Sequence, residues 1–147
     1  IKDKLNGYKV IIYGEGILRT DLEKKIQNHS LENIIYLPGS INNVQEKIYK
    51  AKLFVLTSNY EGMSNALQEA MALGLCCIAT DCLGTKEIIT NNKSGYIINK
   101  NDDQDLANKI LSLISDDETR KKFGYEAFVT SKKYSIDNVI DRWEKIL

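Results

Sequence analysis

Short apolar runs that do not alternate with polar residues set the fold of this chain. They are Val10-Ile11-Ile12-Tyr13, Ile34-Ile35-Tyr36-Leu37, Leu53-Phe54-Val55-Leu56, Cys76-Cys77-Ile78-Ala79-Thr80 and Tyr96-Ile97-Ile98. A strand with one wet face alternates, whereas a strand apolar on both faces belongs to a parallel sheet covered by helices. Helical patterns lie between the runs: Arg19 to Gln27, with Leu22 and Ile26 on one face, Val44 to Lys50, Asn65 to Leu73, and a short piece at Glu87-Ile88-Ile89. Gly74 supplies a C-cap for the third of these, and Pro38-Gly39 is expected to stop the second strand. From Asp102 onward the pattern is helical: Asp105 to Ile114, Asp116 to Tyr125, and Ile136 to Leu147. This βαβα order with loops of a few residues predicts an α/β fold, a Rossmann-like doubly wound parallel sheet with flanking helices. At 147 residues it is expected to form one domain. Ligands of such sheets bind beyond the carboxyl ends of the strands, so the loops after Tyr13, Leu37, Leu56 and Thr80 matter most.

Charge and cysteine content narrow the function classes. Lys plus Arg and Asp plus Glu are equal at 20 each, which leaves no electrostatic footprint for nucleic acid or an anionic membrane. No apolar run approaches the ~20 residues of a bilayer span, and no signal-peptide pattern opens the chain. Ile1 to Leu5 reads instead as the tail of a helix, so a first strand is expected before it. The cysteines, Cys76, Cys77 and Cys82, are odd in number and too close for a disulfide framework. With His29 the single histidine and far from them in sequence, no metal site is expected. The thiols read as small packed hydrophobes in a cytosolic protein.

The chemistry concentrates between Ser58 and Gly74. A buried-strand pattern ends there, then Gly62, Met63, Ser64 and Asn65 precede a helix. Ser64 and Asn65 are both good N-caps, and Asn65 with Gln68 has the spacing of a capping box. The free amides of the helix start and the positive end of its dipole make an anion site suited to a diphosphate. Glu61 lies before this site and Glu69 in the second helical turn. A bare carboxylate repels phosphate but accepts hydrogen bonds from sugar hydroxyls. A nucleotide sugar has one sugar on each side of its diphosphate, and this arrangement fits it better than ATP or a dinucleotide.

The run Glu61 to Glu69 resembles the Glu-x7-Glu signature of the retaining GT-B enzymes called group 1 glycosyltransferases. The similarity continues through Glu69-Ala70-Met71-Ala72-Leu73-Gly74, Ile78-Ala79-Thr80-Asp81, Glu87-Ile88-Ile89 and Ser94-Gly95-Tyr96. Upstream, Ile12-Tyr13-Gly14-Glu15-Gly16-Ile17-Leu18-Arg19 and Ile35-Tyr36-Leu37-Pro38-Gly39 resemble the family's first nucleotide loop and its next strand and turn. The chain is thereby expected to be the C-terminal, donor-binding half of a GT-B fold, residues 1–147, without its first strand and without the N-terminal acceptor domain. The resemblance implies that Glu69 holds the nucleotide ribose and that Glu61 meets the donor sugar in the catalytic step. It further implies that the backbone amides of Gly62, Met63, Ser64 and Asn65 hold the diphosphate, that Gly14 lets the backbone approach the sugar-phosphate, and that Pro38 and Gly39 border the base. The implied donor is a UDP-sugar, used without a metal or other cofactor. The implied acceptor is a glycan or lipid-linked, reached through the missing domain, with peripheral membrane association at the inner face compatible with such acceptors.

Two departures from the family pattern stand out. Cys76 occupies a frequent Pro position, and Leu83 a frequent Gly position in the expected Leu83-Gly84 loop over the donor sugar. The Arg and Lys with which the family neutralises the leaving diphosphate are expected before residue 1, so the isolated chain is expected to transfer no sugar. An NAD-binding domain is disfavoured, because Arg19 stands at the third Gly position after Gly14 and Gly16, and no acidic residue ends the second strand. A GT-B sugar-nucleotide epimerase and a non-catalytic nucleotide-sugar-binding module are the remaining alternatives.

Overall fold

The computed structural model describes residues 1–5 and 7–146. It divides into two compact units, Ile1–Val44 and Gln45–Leu147. The first unit opens with a 3-10 turn at Lys2–Lys4 and continues as strand β1 (Val10–Tyr13), helix α1 (Arg19–Asn28) and strand β2 (Ile35–Gly39). The strands pair in parallel, Val10 beside Ile35 and Ile11 beside Tyr36, with a register shift before Tyr13 meets Gly39. Pro38-Gly39 does not stop β2, contrary to the sequence expectation. Gly39 faces β1 and accepts a hydrogen bond from the Gly14 amide at 3.0 Å. Pro38, one residue earlier, therefore turns its donor-less nitrogen away from β1, a place where a strand tolerates proline. This unit has little core. Helix α1 buries no residue, and Val10, Ile11 and Ile12 are 40%, 51% and 46% exposed. Cover on both faces of β1, which its composition calls for, is incomplete within this chain.

The second unit carries the larger core. Helix α2 (Val44–Ile48), which starts at the last residue of the first unit, leads to β3 (Leu53–Leu56), α3 (Asn65–Ala72), β4 (Cys76–Thr80), α4 (Leu83–Ile88) and β5 (Gly95–Ile98). Helices α5 (Asp103–Ser115), α6 (Asp117–Ser131) and α7 (Ile136–Glu144) complete it. The sheet is parallel in the order β3-β4-β5, with unbroken register from Leu53 beside Cys76 and from Cys77 beside Gly95. Strand β4 is central, and every one of its residues is buried. Helices α3 and α6 pack against it, around a core of Cys76, Ile78, Ile98, Leu113 and Phe123. Each large apolar side chain buried this way contributes about 1.5–3 kcal/mol. Parallel strands with flanking helices are the α/β, Rossmann-like architecture that the apolar runs required.

Several boundaries differ from expectation. Helix α6 runs past Tyr125 to Ser131, because nothing in the intervening residues breaks a helix and Phe123 and Ala127 bury one face. Helix α4 begins at Leu83 rather than Glu87, so Leu83 and Gly84 form a helical first turn and not a loop. The last helix ends at Glu144, and Leu147, its expected end, lies outside the described residues.

Candidate functional site

Helix α3 starts where the sequence placed it, directly beyond the carboxyl end of β3. Of the two capping candidates, Ser64 is the N-cap: its Oγ accepts from the Leu67 amide at 3.4 Å, and Asn65 is the first helical residue. The Asn65–Gln68 capping box is therefore not formed, because Ser64, one residue earlier, already holds the extended backbone that an N-cap needs. The first intrahelical bond runs from the Gln68 amide to the Ser64 carbonyl. The amides of Asn65 and Ala66 precede it and point out of the helix start. Ser64 is buried, whereas Gly62, Met63 and Asn65 are exposed. At the far end Gly74 has φ 72° and closes the helix. Its amide donates to Met71 O at 2.9 Å, and the Leu75 amide donates to Ala70 O at 3.1 Å. Only glycine adopts that left-handed geometry without strain. The direction of α3 is thus fixed at both ends.

Both glutamates are half-buried and each carboxylate has a protein partner. Ser58 Oγ donates to Glu61 Oε1 at 2.7 Å, and Gln45 Nε2 donates to Glu69 Oε2 at 3.0 Å. The loop that carries Glu61 is gripped by the start of α4. The Gly84 amide donates to Glu61 O at 3.3 Å, and a Cβ on Gly84 would lie 1.0 Å from Gly62 O. Two side chains at the end of β4 converge on the same loop: Thr80 Oγ1 and Cys82 Sγ donate to Ser58 O at 2.5 and 3.3 Å. Tyr60 and Leu83 remain largely exposed beside these contacts, at 85% and 82%.

The other expected site residues lie in the first unit. Gly14 follows β1 with φ 131° and open space where a side chain would stand, and Gly39 has φ 87°. Arg19, at the start of α1, donates to Glu15 at 2.6 Å, Glu23 at 2.8 Å and Leu37 O at 2.8 Å, which ties the Gly14–Leu18 loop to the end of β2. The hydrogen bonds that it donates to Glu15 and then to Glu23 hold its guanidinium above its usual pKa. The expected residues thus form two clusters: Gly14, Pro38 and Gly39 in one unit, and Glu61, Gly62, Met63, Ser64, Asn65 and Glu69 in the other.

Sequence reasoning missed Gln45, Ser58, Thr80, Cys82 and Gly84. Ser58 stands three residues before Glu61, a spacing at which a loop hydroxyl can reach a carboxylate, and that was the one available signal. The others act across elements. The thiols match their reading as packed groups: all three are buried, and burial pushes Cys76 up to about 12 and raises Cys77 as well. Among the described residues no cluster of His, Cys, Asp and Glu is placed to hold a metal ion, and no helix is long and apolar enough to cross a membrane.

Residues 1–130 match the family model described as glycosyl transferases group 1. A poly(ribitol-phosphate) alpha-N-acetylglucosaminyltransferase of Staphylococcus aureus is 34% identical over 142 residues, 95% of this chain and 29% of that protein. A poly(glycerol-phosphate) alpha-glucosyltransferase of Bacillus subtilis is 32% identical over 136 residues, 92% of this chain and 20% of that protein. A crystal structure of a TarM variant from S. aureus, in complex with fondaparinux, alpha-GlcNAc-glycerol and UDP, superposes with a TM-score of 0.89 at 34% identity, over 97% of this chain and 29% of that one. The chain therefore spans less than a third of the length of these relatives.

Proposed function

The chain belongs to the group 1 glycosyl transferases, and from that premise we propose that residues 1–147 are the donor-binding, C-terminal GT-B domain of a retaining hexosyltransferase that uses a UDP-sugar. The observation that carries this reading is the start of α3, a Ser64-capped helix with Glu61 before it and Glu69 in its second turn. The outward amides offer hydrogen bonds and partial positive charge to a diphosphate. The same group of amides stabilises UDP as it leaves, because negative charge grows on the diphosphate in the transition state. Glu69 accepts from the ribose hydroxyls and Glu61 from the transferred sugar. By the family resemblance, Gly14 approaches the sugar-phosphate and Pro38 and Gly39 border the base. No metal is needed in this scheme.

Retention has support in the products of the relatives. The S. aureus and B. subtilis proteins are named for alpha linkages, and UDP-glucose and UDP-N-acetylglucosamine are themselves alpha-linked. Polyol-phosphate polymers and lipid-linked glycans are the acceptor classes proposed, bound outside these 147 residues. The 147 residues, less than a third of the length of the relatives they match, are expected to bind UDP weakly and to transfer no sugar on their own.

The test uses the full-length protein that carries this sequence. Calorimetry with UDP, ADP and NADH, followed by turnover of UDP-N-acetylglucosamine and UDP-glucose, is expected to show UDP binding and consumption of a UDP-hexose. NMR of the product is expected to show an alpha anomer. Binding of NADH in preference to UDP, or a beta product, overturns the reading.

A further inference from the structure

We infer that Ser58 is the positioning residue for Glu61, and that Thr80 and Cys82 at the end of β4 hold Ser58 in the posture that makes this possible. The inference rests on the donor-site reading above and assigns a role to three residues that it leaves unused.

The contacts form a relay from the core to the site. Thr80 and Cys82 are buried, at 5% and 3% exposure, so their polar hydrogens require acceptors inside the protein. Both reach the same one, the carbonyl of Ser58, at 2.5 and 3.3 Å. Thr80 Oγ1 also lies 3.5 Å from Leu56 O, so it sits where β3 gives way to the loop. Two donors from a rigid strand end fix the orientation of the Ser58 peptide. That residue's own hydroxyl then points at Glu61 Oε1, 2.7 Å away. The Glu61 main chain is held separately, by the Gly84 amide at 3.3 Å.

A carboxylate on an exposed loop otherwise rotates freely and hydrates both oxygens. With Oε1 engaged by Ser58, rotation about the terminal bond stops, and Oε2 becomes the oxygen offered to a sugar hydroxyl. Preorganisation of this kind acts on the reacting geometry, and misplacement by about 1 Å costs on the order of 100-fold in rate. It has no reason to act on the nucleotide, which the helix start and Glu69 hold. Ser58 is thus separable from a residue that merely stabilises the loop.

The experiment measures UDP release from the UDP-hexose that the full-length wild-type protein consumes, together with UDP affinity by calorimetry. Ser58→Ala is expected to lower kcat roughly 10- to 100-fold while UDP affinity stays within about 2-fold and the melting temperature is unchanged. Ser58→Thr, which restores the hydroxyl, is expected to recover most of the rate. Thr80→Val is expected to reproduce part of the Ser58→Ala loss. In a Glu61→Gln background, Ser58→Ala is expected to add little, since the carboxylate it serves is gone. If Glu61→Gln lowers kcat and Ser58→Ala does not, or if Ser58→Thr fails to recover it, the positioning role is overturned while the donor-site reading stands. If Glu61→Gln itself turns over like wild type, or no UDP-hexose is consumed, the donor-site reading falls and takes this inference with it.

Discussion

Gly84→Ala is the substitution whose outcome the structure fixes most tightly. Two effects oppose one another. In the first turn of α4 alanine is the better helix former, which favours the variant by up to about 1 kcal/mol. Against this, the new Cβ would lie 1.0 Å from Gly62 O, 2.2 Å from Gly62 C and 3.0 Å from Met63 N. The obstacle is backbone, so no rotamer change relieves it. Since real Cβ atoms do not come closer than 3.0 Å to such atoms, the Gly62 peptide has to move by about 2 Å. The Gly84 amide then loses Glu61 O, already a long bond at 3.3 Å. Overpacking of this severity costs roughly 1–3 kcal/mol or more, which exceeds the helix gain. At about 2–4 °C per kcal/mol for a chain of this size, melting falls by several degrees. On the proposed donor-site reading the amides of Gly62 and Met63 are also displaced from the diphosphate, so UDP affinity in the full-length protein is expected to fall by at least roughly 10-fold. Gly62→Ala is the internal control, because a Cβ there meets nothing within 4 Å. It is expected to leave melting close to wild type. A Gly84→Ala protein that melts no lower than wild type and binds UDP equally well would refute the close approach of α4 to the loop.

Glu69→Ala in the full-length protein removes charge-assisted hydrogen bonds of about 1.5–3 kcal/mol, so calorimetry should show UDP binding weakened by one to two orders of magnitude, and unchanged binding would remove Glu69 from the site. Gln45→Ala removes only the partner that orients Glu69 Oε2, and a loss of a few-fold in the same titration is expected. Burial raises the pKa of Cys76 to about 12 and that of Cys77 also upward, so the folded protein keeps these thiols protonated at a pH where unfolded ones ionise. Their contribution is fully present below about pH 8.5 and is lost as pH climbs toward 12, so stability measured in urea should decline over that window, less steeply in a Cys76→Ala, Cys77→Ala variant. A thiol reagent at pH 8 should leave both unmodified until denaturant is added. In the 147-residue chain, amides of β1, whose residues are largely exposed, should exchange with deuterium far faster than those of the fully buried β4.

The sequence made β1, β3 and β4 legible to the residue, because an unalternating apolar run between turn residues has no other folded home, and β4 shows the reason directly in its complete burial. It made the start of α3 legible through Ser64 and its end through Gly74, each a residue whose local chemistry dictates its place. Its failures fall where a distant contact overrides local preference. Pro38 reads as a strand stop until one knows that its nitrogen faces away from β1. The family resemblance predicts a loop at Leu83-Gly84, yet α4 runs through it, and only a residue without a side chain at position 84 fits against Gly62. Thr80 and Cys82 carry no local signal because their shared partner, Ser58, stands 22 and 24 positions away along the chain.

The division has a physical logic that bears on the site itself. Features that attract a ligand, namely free amides, a dipole and carboxylates, are properties of a short stretch of chain, and a reader of sequence finds them between Glu61 and Glu69. Features that hold those groups still are contacts between a strand end, a helix start and a loop, and they exist only once β3, β4 and α4 have packed. A loop with the first set and without the second would bind a nucleotide sugar in many poses. In this protein the Glu61 loop is fastened by Thr80, Cys82 and Gly84, all from the segment that ends β4 and begins α4. On the proposed donor-site reading, variation at Thr80 and Cys82 is therefore expected to alter the rate of sugar transfer before it alters nucleotide affinity, whereas variation at Gly84 alters both; Leu83, exposed between Cys82 and Gly84, is the position where variation is expected to leave the fold intact.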